Sequence, residues 1–298
     1  MQAGIIKIGR RLVLKKGLKG LKAVAFVVVA AIAALYYYIE LPAINIHSPG
    51  FWKFIIFVML IVTVEVWLMN HRKAAGGGRY RGNISAKEFF SDFKTQAGSV
   101  LFKTAFVCTV ILVVLYVAGN ILSSPVINAS KYQQLLKVET RNFTDDIKEV
   151  SYDKIPLLDK DSASIIGTRV MGTMVDMVSQ YEVDDMYSQI NYKEKPVRVT
   201  PLRYGNLIKW FTNHKNGIPA YIRIDMTTQE AECVRLTEGI KYSKSDHFSR
   251  YIYRHLRFAY PTYIFDDINF EIDDNGTPYW VCPVKKYNIG LFGGQTVG

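Results

Sequence analysis

The chain has 298 residues, of which 49% are hydrophobic, and a formal net charge of +11. After Ser123 there are 22 basic and 22 acidic residues, so the 15 basic and 4 acidic residues up to that point account for the whole surplus. A nucleic-acid-binding domain carries its positive charge on its own folded surface. The balanced second half therefore argues against a nucleic-acid partner.

Three apolar runs, residues 23–41, 51–69 and 100–122, fill the first part of the chain. Each is close to the roughly 20 residues that a helix needs to cross the hydrocarbon layer of a membrane. Tyrosines and tryptophans stand near the ends of the first two runs, where interfacial aromatic side chains are common. The sequence therefore predicts three transmembrane helices surrounded by membrane lipids.

The charge distribution predicts the orientation of these helices. Residues 1–22 are rich in Lys and Arg, the connector 42–50 has none, and the loop 70–99 is basic again. Basic loops remain on the cytoplasmic side. We therefore expect a multi-pass protein of the cell membrane, with a cytoplasmic N-terminus and residues after 123 outside the cytoplasm. Within the basic loop, residues 85–94 have the pattern of a short amphipathic helix.

Glu65 is an acidic residue inside the second predicted span. An intramembrane carboxylate can mark an ion or substrate pathway, which makes Glu65 a candidate intramembrane polar site. It lies within about one helical turn of the expected cytoplasmic end, where it can also reach the headgroups or pair with His71 or Arg72. The second interpretation needs no transport function.

The second half has the pattern of an α+β fold. Residues 123–158 are predicted to form a linker with a short helix, followed by two helix-plus-sheet repeats at 159–240 and 241–298. Helical periodicity is expected at 159–177 and 243–260. Alternating apolar residues around Thr227–Glu230 and the turn Asp274-Asn275-Gly276 predict antiparallel hairpins.

Two segments carry a resemblance to a known family. GIPAYIRIDMTTQEA resembles the closing hairpin of a PepSY or cystatin-like module, and YRHLRFAYPTYIFDDINFEIDDNGTPYWVCPV resembles the opening helix and first hairpin of another. The resemblance covers about residues 160–298 and implies tandem extracytoplasmic binding modules. Gln229 stands where such turns usually have Gly. The second copy stops before its closing hairpin, so we expect either a longer chain or a partner that covers the open edge.

No nucleophile and base pair, cofactor motif or metal-ligand spacing is recognised in the sequence. The chain is therefore not expected to be an enzyme or to bind a cofactor or metal. Cys233 and Cys282 could pair in an oxidising compartment or remain as free thiols. The aromatic side chains Trp210, Tyr221, Tyr279 and Trp280 are candidates for partner binding, because such rings offer large contact areas.

These observations favour a membrane-anchored extracytoplasmic protein of the cell envelope that binds or regulates another envelope protein, which the resemblance suggests could be a peptidase. A subunit of a transport or export complex, with the three helices as its working part, is the alternative. An envelope enzyme with an unrecognised site is a second alternative. The partner's identity and the oligomeric state are left open.

Overall fold

A computed structural model describes residues 23–74, 99–147 and 149–297. The chain divides into two compact units, of which the first takes its residues from Met1–Tyr132 and Tyr287–Gly294. The second takes its residues from Gln133–Lys286 and Gln295–Gly298. The predicted basic N-terminus 1–22 and the predicted amphipathic helix 85–94 lie outside the described residues.

The first unit is built from three long helices. They are α1 (Ala23–Glu40), α2 (Pro49–Ala74) and α3 (Val100–Leu122), with a short α4 (Ala129–Gln133) after them. Helix α2 begins at a proline, which suits the first helical position because its missing N–H has no helical partner there. By length and composition, all three long helices can cross a membrane. This confirms, among the described residues, the prediction of three apolar helices long enough to span a membrane.

Helices α2 and α3 pack against each other with a polar contact in their interface. The hydroxyls of Thr63 and Thr109 lie 3.1 Å apart, and both side chains are buried. Each hydroxyl is within donating distance of a backbone carbonyl one turn earlier in its own helix, Met59 O for Thr63 and Ala105 O for Thr109. These contacts satisfy both hydroxyls without water, as a position inside the hydrocarbon layer requires.

The segment Tyr287–Gly294 belongs to the helical unit. The Ser123 hydroxyl, at the end of α3, accepts hydrogen bonds from the backbone N–H groups of Leu291 (3.0 Å) and Phe292 (3.1 Å). The Phe292 ring lies 5.8 Å from the Tyr116 ring and 6.2 Å from the Trp52 ring. Residues 287–294, which were predicted to belong to the second repeat, thus find hydrogen-bond partners within the helical unit.

The second unit contains a mixture of short helices and strands. Its helices are α5 (Phe143–Asp146), α6 (Lys160–Thr173), α7 (Leu207–Asn213) and α8 (Ile252–Ala259), with 3₁₀ turns at Tyr152–Lys154 and Phe248–Arg250. Its strands are β1 (Tyr181–Val183), β2 (Ser188–Tyr192), β3 (Lys195–Tyr204), β4 (Ile218–Asp225), β5 (Ala231–Ile240), β6 (Ile264–Phe265), β7 (Asn269–Ile272), β8 (Pro278–Val281), β9 (Val284–Lys286) and β10 (Thr296–Val297). The antiparallel α+β class predicted from the sequence is confirmed.

The main sheet has β3 at its centre. Strand β3 pairs with β1 and β2 along one side and with β4 along the other, and β5 follows β4 at the edge. All of these pairings are antiparallel. The predicted hairpin around Thr227–Glu230 is the β4–β5 hairpin.

The two faces of this sheet are covered differently. Helix α6, whose N-cap Asp159 accepts the Ser162 backbone N–H at 2.7 Å, contributes Ala163 and Met171 to the core. Strand β7 contributes Phe270 and Ile272 to the same core, with the Phe270 ring against Tyr221. The β7–β8 hairpin, predicted as part of a second repeat, therefore shares its core with the first sheet.

The predicted helix 243–260 is shorter in the structure. Ser243 forms a bridge with Tyr251, and only Ile252–Ala259 is α-helical. Asp246 is buried and accepts a hydrogen bond from the Trp210 indole N–H, and Phe248 adopts a φ of +48°. A bulky residue in this left-handed region interrupts a helix, which explains the late start of α8.

Candidate binding groove

Two of the four aromatic residues proposed for partner binding lie in the core. Tyr221 has no exposed surface, and its hydroxyl donates to the Gly276 carbonyl at 2.8 Å. Trp210 is 4% exposed, and its indole N–H donates to an Asp246 carboxylate oxygen at 2.7 Å. Neither ring is accessible to a partner, so the role proposed for Trp210 and Tyr221 is corrected to a role in the core.

The other two aromatic residues are on the β7–β8 hairpin. Trp280 is half-buried, and its ring packs edge-on against Phe270 at 5.3 Å. Tyr279 is 52% exposed and, because side chains alternate along a strand, points to the opposite side of the hairpin. Tyr279 is therefore the candidate of the four with a large accessible ring. Phe270 joins Tyr221 to Trp280, whereas Trp210 packs against a different set of rings, those of Phe211 and His214.

Glu65 lies in α2 and is half-buried. His71 and Arg72 are in the same helix, but their side chains are outside the described part of the structure. The structure thus leaves both interpretations of Glu65, as an intramembrane polar site and as a carboxylate near the headgroups, as predictions.

The described residues hold no group of three or more His, Cys, Asp or Glu side chains that could bind a metal ion. Cys233 and Cys282 are free thiols in the structure, and burial raises the pKa of each. A raised thiol pKa lowers the thiolate fraction and hence the reactivity. Neither thiol has the environment of a reactive cysteine.

An open groove lies on the face of the sheet that also packs against β7. It consists of two adjoining hollows of about 720 and 680 Å³. Both are lined by Tyr192, Arg223 and Glu232, which therefore form the saddle between them. A volume of this order is typical of ligand sites in proteins. We call this feature the saddle groove.

Strand pairing explains why these three residues share a face. Arg223 on β4 is directly opposite Glu232 on β5, and Tyr192 at the end of β2 pairs with Lys195 of β3. Directly paired residues of antiparallel strands point to the same side of the sheet. Tyr221 lies two residues before Arg223 and occupies the same side, which places the β7–β8 hairpin at one end of the groove.

The saddle is a set of paired charges around an aromatic ring. The Arg223 guanidinium lies 4.2 Å from the centroid of the Tyr192 ring and forms an ion pair with Glu232. The Lys193 ammonium lies 5.0 Å from the same centroid. Lys193 and Arg223 together lower the pKa of the Tyr192 phenol. The ring therefore makes cation–π contacts with two side chains, which restrict its orientation in the groove.

Three hairpin turns border the groove, and two of them contain residues other than Gly with positive φ. Lys193 and Glu194, in the β2–β3 turn, have φ values of +50° and +64°, and Gln229, in the β4–β5 turn, has a φ of +63°. Side chains other than Gly are uncommon in this region and raise the energy of the backbone. The third turn contributes Asp274, whose carboxylate accepts the Lys193 backbone N–H at 3.4 Å. Such strain is concentrated at functional sites.

Strand β5 forms one wall of the groove and is the edge of the sheet among the described strands. Its pairing with β4 is regular from Ala231 to Arg235 and shifts register beyond that point. A regular edge exposes backbone groups that can pair with an added strand. The charges of Glu232 and Arg235 and the irregularity after Arg235 are features that limit unspecific edge pairing.

Sequence reasoning missed the saddle groove because its residues come from separate hairpins. No protein-family model matches the chain, and no curated protein or solved structure shows significant similarity to it.

Proposed function

We propose that this protein is a membrane-anchored binding protein of the cell envelope that holds an extended segment of another envelope protein in the saddle groove. The observation that carries the proposal is the position of the groove beside the regular edge of β5. An extended segment can bond to the backbone of such an edge while its side chains enter the adjoining hollows. The three apolar helices support a membrane anchor for this module.

The charges of the groove are consistent with a polypeptide ligand. Lys193, Lys195 and Arg223 line the first hollow together with Asp225, Glu230 and Glu232, so positive and negative groups are equal in number. A balanced lining does not favour a polyanion. A balanced lining suits a polypeptide segment that binds through main-chain hydrogen bonds and through contact with the Tyr192 ring.

The PepSY or cystatin-like resemblance remains a proposal, and one backbone feature supports it. Gln229 has a φ of +63°, the conformation for which Gly is best suited. The chain therefore has a different residue type from the family pattern at this position, but a backbone conformation that fits it. An extracytoplasmic location and a peptidase partner belong to the same proposal.

Photocrosslinking in native membranes tests the proposed function. A photoreactive amino acid is placed at Glu230 or Thr277, which line the two hollows, and at Val175 as an exposed control position outside them. We expect both groove positions to crosslink to one short stretch of a single protein, which mass spectrometry would map. The Val175 position should give no such product.

Two matched tyrosine variants make this test specific. Tyr192→Ala removes the ring of the saddle and should abolish the crosslinks, whereas Tyr279→Ala removes an exposed ring outside the groove lining and should leave them intact. If Tyr279→Ala alone abolished the product, the outer face of the β7–β8 hairpin would be the binding site. Crosslinks scattered over many proteins would overturn the proposal.

A further inference from the structure

The positive charge of the second unit is unevenly distributed along the chain. The segment from Gly239 to Tyr263 contains five Lys or Arg residues and one acidic residue, Asp246, although the half of the chain after Ser123 is balanced overall. Asp246 is 6% exposed, and its carboxylate accepts a hydrogen bond from the Trp210 indole N–H. The accessible charge of this segment is therefore almost entirely positive.

The same segment exposes aromatic side chains between its basic residues. Phe248 and Phe258 are 49% and 59% exposed, and Tyr260 and Tyr263 are exposed to a similar extent. Lys244 lies over the Tyr253 ring at 5.7 Å, and the Arg254 guanidinium lies over the Tyr251 ring at 5.4 Å. These cation–π contacts hold the cations beside the rings.

Contacts link several of the exposed rings and cations. Arg254 donates a hydrogen bond to the Phe248 carbonyl, and Phe258 follows Arg254 by one helical turn on the exposed side of α8. The Phe211 ring of α7 lies 6.0 Å from the Phe248 ring and is 56% exposed. We call the surface formed by Phe211, Lys241, Lys244, Phe248, Arg254 and Phe258 the basic aromatic face.

An anionic bilayer surface complements both properties of this face. Headgroup phosphates attract Lys and Arg, and rings such as Phe and Tyr enter the boundary between headgroups and acyl chains. The second unit is covalently joined to three apolar helices, so a bilayer is always within reach at a high effective concentration. Even a weak affinity for lipid is then sufficient for docking.

We propose that the basic aromatic face docks onto the surface of an anionic phospholipid bilayer, with Phe248 and Phe258 entering the interface and Lys241 and Lys244 contacting headgroup phosphates. Docking would restrict the orientation of the second unit with respect to the membrane. It is a further activity of the chain, on residues that do not line the saddle groove.

Hydrogen exchange of the full chain in nanodiscs tests this inference. One set of discs contains phosphatidylcholine alone, and the other contains equal parts of phosphatidylcholine and phosphatidylglycerol. We expect backbone amides of residues 247–260 to be more protected in the anionic discs, and about 1 M salt to remove the difference, because salt screens exposed charges. Protection of β4 amides serves as the measure of an intact fold.

Matched substitutions separate docking from unfolding. Lys241→Gln and Lys244→Gln should each lower the docking equilibrium roughly fivefold, the value of one basic residue near an anionic surface. Phe258→Ser should also lower it, whereas Lys160→Gln and Val175→Ser, on exposed residues outside the face, should not.

Several results would overturn the inference. Equal protection in both kinds of disc would show that lipid charge does not matter. Protection that rises with protein concentration would show that a second copy covers the face. Loss of protection in the lysine variants but not in Phe258→Ser would exclude insertion of the ring. Crosslinking at the saddle groove is a separate measurement, so either proposal can fail alone.

Discussion

Replacement of Asp246 by Asn should stabilise the second unit at neutral pH. Burial raises the pKa of Asp246 to about 6 from its ordinary value of 3.8, although Trp210, Arg250 and His214 oppose the rise. At about 1.36 kcal/mol per pKa unit, this difference corresponds to roughly 3 kcal/mol. Asn keeps an oxygen that can accept the Trp210 indole N–H, so the variant loses the buried charge but retains the hydrogen bond.

The sign of the pH dependence follows from the raised pKa. Between pH 4 and 6 the folded state binds the Asp246 proton more tightly than the unfolded state does, so this group lowers stability as pH rises through that window. Above about pH 6 Asp246 is ionised in the folded state, and the buried charge lowers the free energy of unfolding by its full amount. The Asn variant should lack this decline and exceed the parent protein by up to roughly 3 kcal/mol at pH 8.

Hydrogen exchange of β4 amides, corrected for intrinsic rates at each pH, measures the free energy of opening of the second unit. Asp176→Asn provides a control of opposite sign, because a bidentate pair with Arg235 lowers the pKa of the Asp176 carboxyl. That variant should lose stability above pH 4. If Asp246→Asn were less stable than the parent at pH 8, the buried carboxylate would be stabilising as an anion and the reasoning would be refuted.

Three further predictions follow from the backbone and the thiols. Gln229→Gly should raise the thermal unfolding temperature, since it relieves roughly 1 kcal/mol of left-handed strain; a lower temperature would contradict this. Gly293→Ala should make residues 287–294 sensitive to limited proteolysis, because the added Cβ would lie 2.4 Å from a backbone oxygen, whereas Gly172→Ala meets no atom within 4 Å and should not. Cys233 and Cys282 should react slowly with iodoacetamide in the native protein and rapidly after unfolding without reductant; lack of reaction after unfolding would indicate a disulfide.

Local patterns of the sequence predicted the elements whose formation depends on local chemistry. The three apolar helices follow from the length of each run, because a membrane span is specified by consecutive apolar residues. The β4–β5 hairpin follows from alternation, and the turn at Asp273–Gly276 from side chains that bond to their own backbone: Asp273 accepts the N–H groups of Asn275 and Thr277.

Burial of the aromatic side chains was decided by tertiary contacts. Tyr221 and Trp210 look like surface candidates in the sequence, but the Phe270 ring of the β7–β8 hairpin packs against the first, and the second is buried with its indole N–H donating to Asp246. The order of strands in the sheet determines which face is covered, and that order depends on contacts between residues far apart in the chain.

The saddle groove and the position of the C-terminal segment have the same origin. Tyr192, Arg223 and Glu232 meet only because β2 and β4 both pair with β3 and β5 pairs with β4. Leu291 reaches Ser123 across 168 positions of sequence. Sequence periodicity predicts whether a residue is helical or extended and on which face of its helix or strand the side chain lies. Only the packing of distant segments determines what those neighbours are, and therefore where a site can form.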